Sequence, residues 1–287
     1  MANLKEIRNR ITSIKSTMQI TSAMKMVSAA KLKKAQDAIT AMRPYSSKLT
    51  ELLQNLSATL DGDAGGTYAT QREIFKVLLV VVSSNRGLCG GFNSSITKEV
   101  IKTVEEKYAD VTVDLFPIGK KGADILSKQY NVVATRNDIY DDLTFDNVAA
   151  IAEKLMALYV DGTYDKIEII YNQFKNAATQ IPQVEQFLPI KPIEGGKAIT
   201  NSDYIFEPSK EKIVLALIPK SLKTQLYKSI RDSFASEHGA RMTAMHKATD
   251  NAKDLRDELL LTYNKARQAA ITNEILEIVG GAEALKN

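Results

Sequence analysis

"LKEIRNRITSIKSTMQITSAMKMVSAAKL" occupies residues Leu4 to Leu32, and its apolar spacing decides the fold. Leu4, Ile7, Ile11, Ile14 and Met18 lie three and four residues apart. That step keeps side chains on one line of a helix facing a partner. The same count runs on through Thr21, Lys25, Ser28, Leu32, Ala35, Ile39, Met42, Ser46, Leu49, Leu53, Leu56 and Leu60. One unbroken register predicts one helix over residues 1–60, about 85 Å long at a rise of about 1.5 Å per residue. Pro44 removes a backbone hydrogen bond and is expected to bend it. At Thr21, Lys25 and Ser28 the line turns polar, which ordinary soft packing around Met18, Met24 and Met26 does not explain.

The charge of this stretch raises an alternative. Residues 1 to 50 carry ten basic and two acidic side chains, +8 in a chain whose total is +4, so the remainder sums to −4. A basic amphipathic start can be a transit peptide. Such a peptide has no reason to share its heptad phase with the residues after it, so the shared register favours a structural helix. A basic helix can also bind nucleic acid, but no aromatic residues interleave with these charges, and an acidic protein partner fits them as well.

After "DGDAGGTYATQ" (61–71), whose glycines and small polar residues suit a break, the period changes. β-Branched runs predict strands at Ile74–Ser84, Val111–Gly119, Tyr130–Thr135 and Lys166–Phe174, with helical patterns near 93–107, 119–129 and 145–160. Strand and helix alternate, so residues 74–217 are expected to form a Rossmann-like, largely parallel α/β domain. "QVEQFLPI" (183–190) and "KIVLALI" (212–218) are expected to add edge or closing strands.

From Pro219 a second long helix is expected to fill residues 219–287, interrupted only by Gly239, with Gly280 and Gly281 as its stop. Its seam reads Leu226, Ile230 and Phe234, then Ala240, Ala244, Ala248 and Ala252, then Leu255, Leu259, Thr262, Ala266 and Ala269. Neither terminal seam can be covered by a domain of this size. The fold class is therefore α/β with a long antiparallel coiled coil of the N- and C-terminal helices. The closing stretch "ARQAAITNEILEIVGGAEALKN" (266–287) has apolar residues around most of its wheel, so one coiled-coil partner would leave part of it bare.

The remaining motifs carry little chemistry. "SSNRGLCGGFN" (83–93) follows the first strand where a phosphate loop would sit, but Gly87, Gly90 and Gly91 lack the dinucleotide spacing and no Lys-Ser/Thr pair follows. A tight strand-to-helix turn with a structural Cys89 is the expectation, and a nucleotide-binding α/β protein with coiled-coil extensions is the alternative. A single cysteine excludes an internal disulfide. His238 and His246 lack the clustered cysteines of a zinc site, and Asp141, Asp142 and Asp146 read as a solvated acidic loop capping the next helix. No metal or cofactor is expected. No apolar run of about 18 residues offers a membrane span, and no secretory signal is evident.

Four blocks, "ITSAMKMVSAAKLKKAQ", "SSNRGLCGGFN", "SEHGARMTAMHKATDNA" and "YNKARQAAITNEILEIVGGAEAL", together closely resemble the gamma subunit of bacterial F-type ATP synthase. The similarity extends over essentially all 287 residues. It implies a non-catalytic rotor shaft that couples ion flow through a membrane c ring to ATP synthesis in an alpha/beta hexamer, with an epsilon subunit beside it. By position it implies alpha/beta-subunit contacts at Met24, Lys25, Arg241, Arg267, Gln268 and Thr272, and epsilon or c-ring contacts at Tyr204 and Glu207. It implies a peripheral place on the cytoplasmic face of the bacterial inner membrane. The cysteine pair of the chloroplast form is absent, so thiol control of rotation is not expected.

Overall fold

The computed structural model describes residues 4–57, 66–190, 207 and 209–284. Helix α1 runs over Leu4–Ser57, continuous through Pro44. Every heptad position from Leu4 to Leu49 is buried or half-buried, Thr21, Lys25 and Ser28 included. The register read from spacing is therefore the register of burial. The expected continuation through Leu60 and the loop at 61–65 lie outside the described residues.

Five strands and four further helices follow: β1 (Lys76–Val82), α2 (Phe92–Lys107), β2 (Thr112–Ile118), α3 (Lys120–Leu126), β3 (Asn131–Val132), α4 (Phe145–Val160), β4 (Lys166–Phe174), β5 (Gln180–Leu188) and α5 (Lys210–Ala284). The sheet order is β3-β2-β1-β4-β5. The first four strands are parallel, and β5 is antiparallel to β4. The chain thus starts at β1, builds outward to β3, and crosses back to lay β4 on the other side of β1. This is the doubly wound pattern, with its switch point between β1 and β4.

Each face of the sheet has its own core. Val77, Leu79 and Val81 of β1 pack with Ile96 and Val100 of α2 and Leu126 of α3. Leu78, Val80 and Val82 pack with Ile151 and Leu155 of α4 and with Ile218, Leu222, Leu226 and Ile230 of α5. Alternate residues of a strand covered on both faces explain why β1 reads as an unbroken apolar run.

Several expectations are corrected. "KIVLALI" is not a closing strand: it is the opening of α5, which starts before Pro219 and runs through it. Its six-residue apolar run hides a helical face, since Ile218, Leu222, Leu226 and Ile230 recur every fourth residue in the core while Leu215 is half exposed. The helix does not stop at Gly280 and Gly281, where nothing lies within 4 Å of an added Cβ, but continues to Ala284. β3 is shorter than expected, although Val133 N still donates to Leu115 O and Arg136 N to Pro117 O.

The chain divides into two compact units, Met1–Ser28 with Met242–Asn287, and Ala29–Arg241. In the first, α1 and α5 pair antiparallel: Arg8 Nη2 donates to Tyr263 Oη at 3.1 Å, Thr249 Oγ1 to Thr21 Oγ1 at 2.8 Å, and Lys25 Nζ lies 3.3 Å from His246 Nδ1. The residue numbers of each pair sum to nearly the same value, which is the signature of two helices running in opposite directions. The polar break in the α1 seam is explained by this facing layer of Thr249 and His246. Along α5 the seam read from apolar letters holds at Ala244, Ala248, Ala252, Leu259 and Ala266, which are half-buried, but not at Leu255, Thr262 and Ala269, which are exposed. Buried Met245 and half-buried Arg256, Tyr263 and Ala270 complete the line, because Arg and Tyr stems cover a seam as well as aliphatic side chains do.

Candidate functional site: a crevice filled by its own helix

In a doubly wound sheet, ligands bind outside the carboxyl ends of the strands at the switch point. Here that place lies between the end of β1, with the Ser83–Asn93 turn after it, and the end of β4. The turn is tight: Leu88 adopts φ 62° and Gly90 φ 58°. Its polar groups are used internally. Asn93 Oδ1 accepts from Ser84 N at 3.1 Å, and Asn93 Nδ2 donates to Cys89 Sγ at 3.2 Å. Cys89 is buried, and burial pushes its thiol up despite hydrogen bonding from Ser84, so it is a packing residue and not a thiolate.

The neighbouring β2-α3 turn closes onto the same strand end. Gly119 has φ 109°, and a Cβ there would lie 2.2 Å from Ser83 O; one on Gly122 would lie 2.6 Å from Ser83 Oγ. The first amides of α3, the groups that would hold a phosphate in a nucleotide-binding protein, are already satisfied. Gly122 N donates to Ser83 Oγ at 2.9 Å, Lys121 N to Ser84 O at 2.9 Å and Lys120 N to Asn85 Oδ1 at 3.1 Å.

Helix α5 fills the crevice itself. From Ala235 to Arg241 every residue is buried, so the helix is enclosed over two turns on all sides. Ser236 Oγ donates to Asn172 O of β4 at 2.9 Å. A Cβ on Gly239 would lie 3.1 Å from Ala177 Cα, so the missing side chain lets the helix approach the β4-β5 hairpin. Ala240 packs on Cys89 and Phe92. Arg241 Nη2 donates to Arg86 O at 3.0 Å and to Gly87 O at 3.3 Å, while Nη1 donates to Glu237 Oε1. Phe234 stacks on Tyr140 and meets His238 edge-on, and Tyr140 Oη donates to Ser83 O at 2.7 Å.

The electrostatics are those of a closed interior. Burial raises the Glu237 carboxyl in spite of Arg241. Burial, then Arg241 and Lys31, push His238 down to about 3. His238 is therefore neutral at physiological pH, and a neutral imidazole next to a guanidinium costs no charge repulsion.

Of the residues singled out from the sequence, Arg241 is buried in this crevice with its own chain as partner. Met24 and Lys25 are half-buried in the paired helices. Arg267, Gln268 and Thr272 are exposed, the Thr272 hydroxyl donating to Gln268 O at 2.9 Å. Glu207 is exposed, and Tyr204 lies outside the described residues. Sequence reading missed Glu237, Ser236, Asn172 and the carbonyls of Arg86 and Gly87. The four-residue spacing of Glu237 and Arg241 was the available signal, but its meaning depends on a turn far away in sequence. Asp142 does not cap α4; Thr144 does, accepting from Asn147 N. Among the described residues, no group of three His, Cys, Asp or Glu side chains is placed to hold a metal ion.

Fold and site together define a class: paired long helices joined to a doubly wound domain whose ligand crevice is filled by its own C-terminal helix. Comparison with known proteins narrows it. A family model described as ATP synthase matches residues 3–285. The ATP synthase gamma chain of Flavobacterium psychrophilum is 74% identical over 286 residues, covering 100% of both chains. That of Cytophaga hutchinsonii is 54% identical, again over 100% of both. Among solved structures, a chain of the Tetrahymena thermophila mitochondrial ATP synthase central stalk and c ring is 28% identical with a TM-score of 0.62, covering 80% of this chain and 99% of that one. A Euglena gracilis mitochondrial ATP synthase chain shares the fold at a TM-score of 0.70 and 21% identity, over 98% of this chain and 94% of that one. The chain belongs to the ATP synthase gamma chain family.

Proposed function

We propose that the chain is the central rotor shaft of an F-type ATP synthase. It is a non-catalytic subunit of that complex, and it couples ion flow through a membrane c ring to ATP synthesis at an alpha/beta hexamer. Its work is coupling: different orientations of one asymmetric element bias separate nucleotide sites toward different affinities.

The observation that carries this reading, beside the full-length kinship, is the uncovered end of α5. Ile271, Ile275, Leu276, Ile278 and Val279 are each 49% to 67% exposed. At about 100° per residue, Ile271, Ile275, Ile278 and Val279 fall on one broad face and Leu276 about 60° beyond its edge, a span wider than the narrow seam of a single coiled-coil partner. Large apolar side chains concentrated like this mark an interaction surface, and a ring of surrounding subunits would cover every side at once. Arg267, Gln268 and Thr272 just below would make polar contacts with the alpha/beta ring, and Met24 and Lys25 would meet it lower on the pair, one by packing and one by charge. Glu207, with Tyr204, would face the epsilon subunit and c ring. No described helix is long and apolar enough to cross a membrane, so attachment would be through the complex, at the cytoplasmic face of the bacterial inner membrane. No nucleic acid and no cofactor enter this scheme.

The test is co-purification with alpha and beta subunits, followed by ATPase and ATP-driven ion-pumping assays in the membrane complex. Stoichiometric assembly with coupled pumping is expected. A chain that fails to enter the complex, or saturable ATP or NAD binding by the isolated chain, would overturn the reading; the filled crevice argues against the latter.

A further inference from the structure

Arg241 spends its guanidinium inside its own domain. One nitrogen reaches the carbonyls of Arg86 and Gly87 on the Ser83–Asn93 turn, and the other pairs with Glu237 one helical turn back, at a side chain only 9% exposed. A planar fork that engages two separate elements fixes their relative rotation, which a single-point contact does not. The surrounding contacts repeat this geometry. Ser236 holds α5 to the end of β4, Ala240 seats it on Cys89 and Phe92, and Gly239 admits it against Ala177. Every one of these links α5 to the strand ends of the sheet, and all lie within the Ala29–Arg241 unit.

We propose that Arg241 is a positioning residue: it bolts α5 into the switch-point crevice, so that the turn and the helix rotate as one torque-bearing body. The inference rests on the rotor reading. In a shaft, load applied to a helix must be returned through the domain that anchors it. A helix held only by apolar packing can roll in its groove, whereas one pinned by buried, directional bonds at two strand ends cannot.

The test uses the assembled membrane complex. Wild type is first shown to pump ions in proportion to ATP hydrolysed; its failure to do so would sink the rotor reading itself and not the bolt. Arg241→Gln complexes, purified intact, are then compared at rising opposing ion gradients. Ions pumped per ATP should fall roughly twofold to tenfold, with the loss growing as the load rises. Arg241→Lys, which keeps the charge but not the fork, should lie between. A merely structural role would lower the yield of complex and leave this ratio unchanged, and that outcome overturns the proposal. Ala240→Cys supplies the second arm, because Ala240 shares a small buried cluster with Cys89 and Phe92. In the Arg241→Gln background, oxidation of the assembled complex should restore coupling under load and reduction should remove it again. In an otherwise wild-type chain the bridged complex should turn over normally; arrest by the bridge would show that turn and helix must slide, and would equally overturn the proposal. Thiol titration reports whether the bridge has formed, and where it has not, the load dependence of Arg241→Gln decides alone.

Discussion

At Leu88 the backbone adopts φ 62° while the side chain is 65% exposed. An L-residue in this left-handed conformation costs about 1–2 kcal/mol, which glycine avoids, while glycine's extra freedom in the unfolded chain costs about 0.5–1 kcal/mol. Little burial is lost, so Leu88→Gly should stabilise the isolated chain by roughly 0.5 kcal/mol in denaturant titration; a loss of stability would show that the leucine packs. His238 allows a prediction with a definite sign. Its folded pKa, about 3, lies below the ordinary value of 6.5, so between these limits the unfolded chain binds a proton that the folded chain does not. Stability therefore falls as pH drops from about 6.5 toward 3, by up to ~1.4 kcal/mol per pH unit from this group. Glu237 works oppositely: its raised carboxyl keeps a proton in the folded state, a contribution lost as pH rises through its folded pKa. Substituting His238→Asn should flatten the stability profile between pH 6.5 and 5, read from unfolding midpoints at each pH, and an unchanged slope would refute the assignment.

The paired helices show how far an element could be read from letters alone. Along α1 the three-and-four spacing named the buried line, because almost every seam residue there is aliphatic or small. Along α5 the same rule chose Leu255 and Thr262, while Arg256 and Tyr263 occupy the seam. Amphipathic side chains bury their stems and expose their heads, a behaviour that apolar counting discards. The opening of α5 failed for a related reason: a six-residue apolar run has no visible period, and only the core beneath it says strand or helix. Where the two helices meet, Thr249 donates to Thr21, whose own hydroxyl donates to Met18 O; Met245 O, 2.8 Å from Thr249 Oγ1, is the alternative acceptor for the single Thr249 proton. Thr21→Val or Thr249→Val alone should each cost about 1 kcal/mol, since one hydroxyl is left facing a methyl group. The double substitution should cost less than the sum, because two apolar faces then meet. Strict additivity in this cycle would mean the hydroxyls do not interact.

At the scale of the whole molecule, fold class and family were legible because they live in long-range periodicity and in four sequence blocks, both linear properties. The crevice was not, because Arg86 and Arg241 are brought together only by the crossing of β4 to the far side of β1. The glycine turn looked like a failed phosphate loop; in the structure the Arg86 and Gly87 carbonyls accept from Arg241 and Ser84 N is held by Asn93, so the chain itself occupies the place of a ligand. A similar division governs the end of α5. Every described residue from Ile271 to Glu283 is exposed, so the isolated chain gains no burial from this segment. Stability and function should therefore separate there. Removing residues 271–287 should leave the unfolding midpoint of the isolated chain within about 0.5 kcal/mol of the full chain, the range typical of changes at an uncovered surface. In the complex the same truncation exposes whatever face the tip would have covered, and ATP synthesis driven by an ion gradient should fall while the α/β domain stays folded. Unimpaired synthesis would remove the tip from the coupling path. A drop in the isolated chain's stability would show instead that these apolar residues fold back on their own molecule.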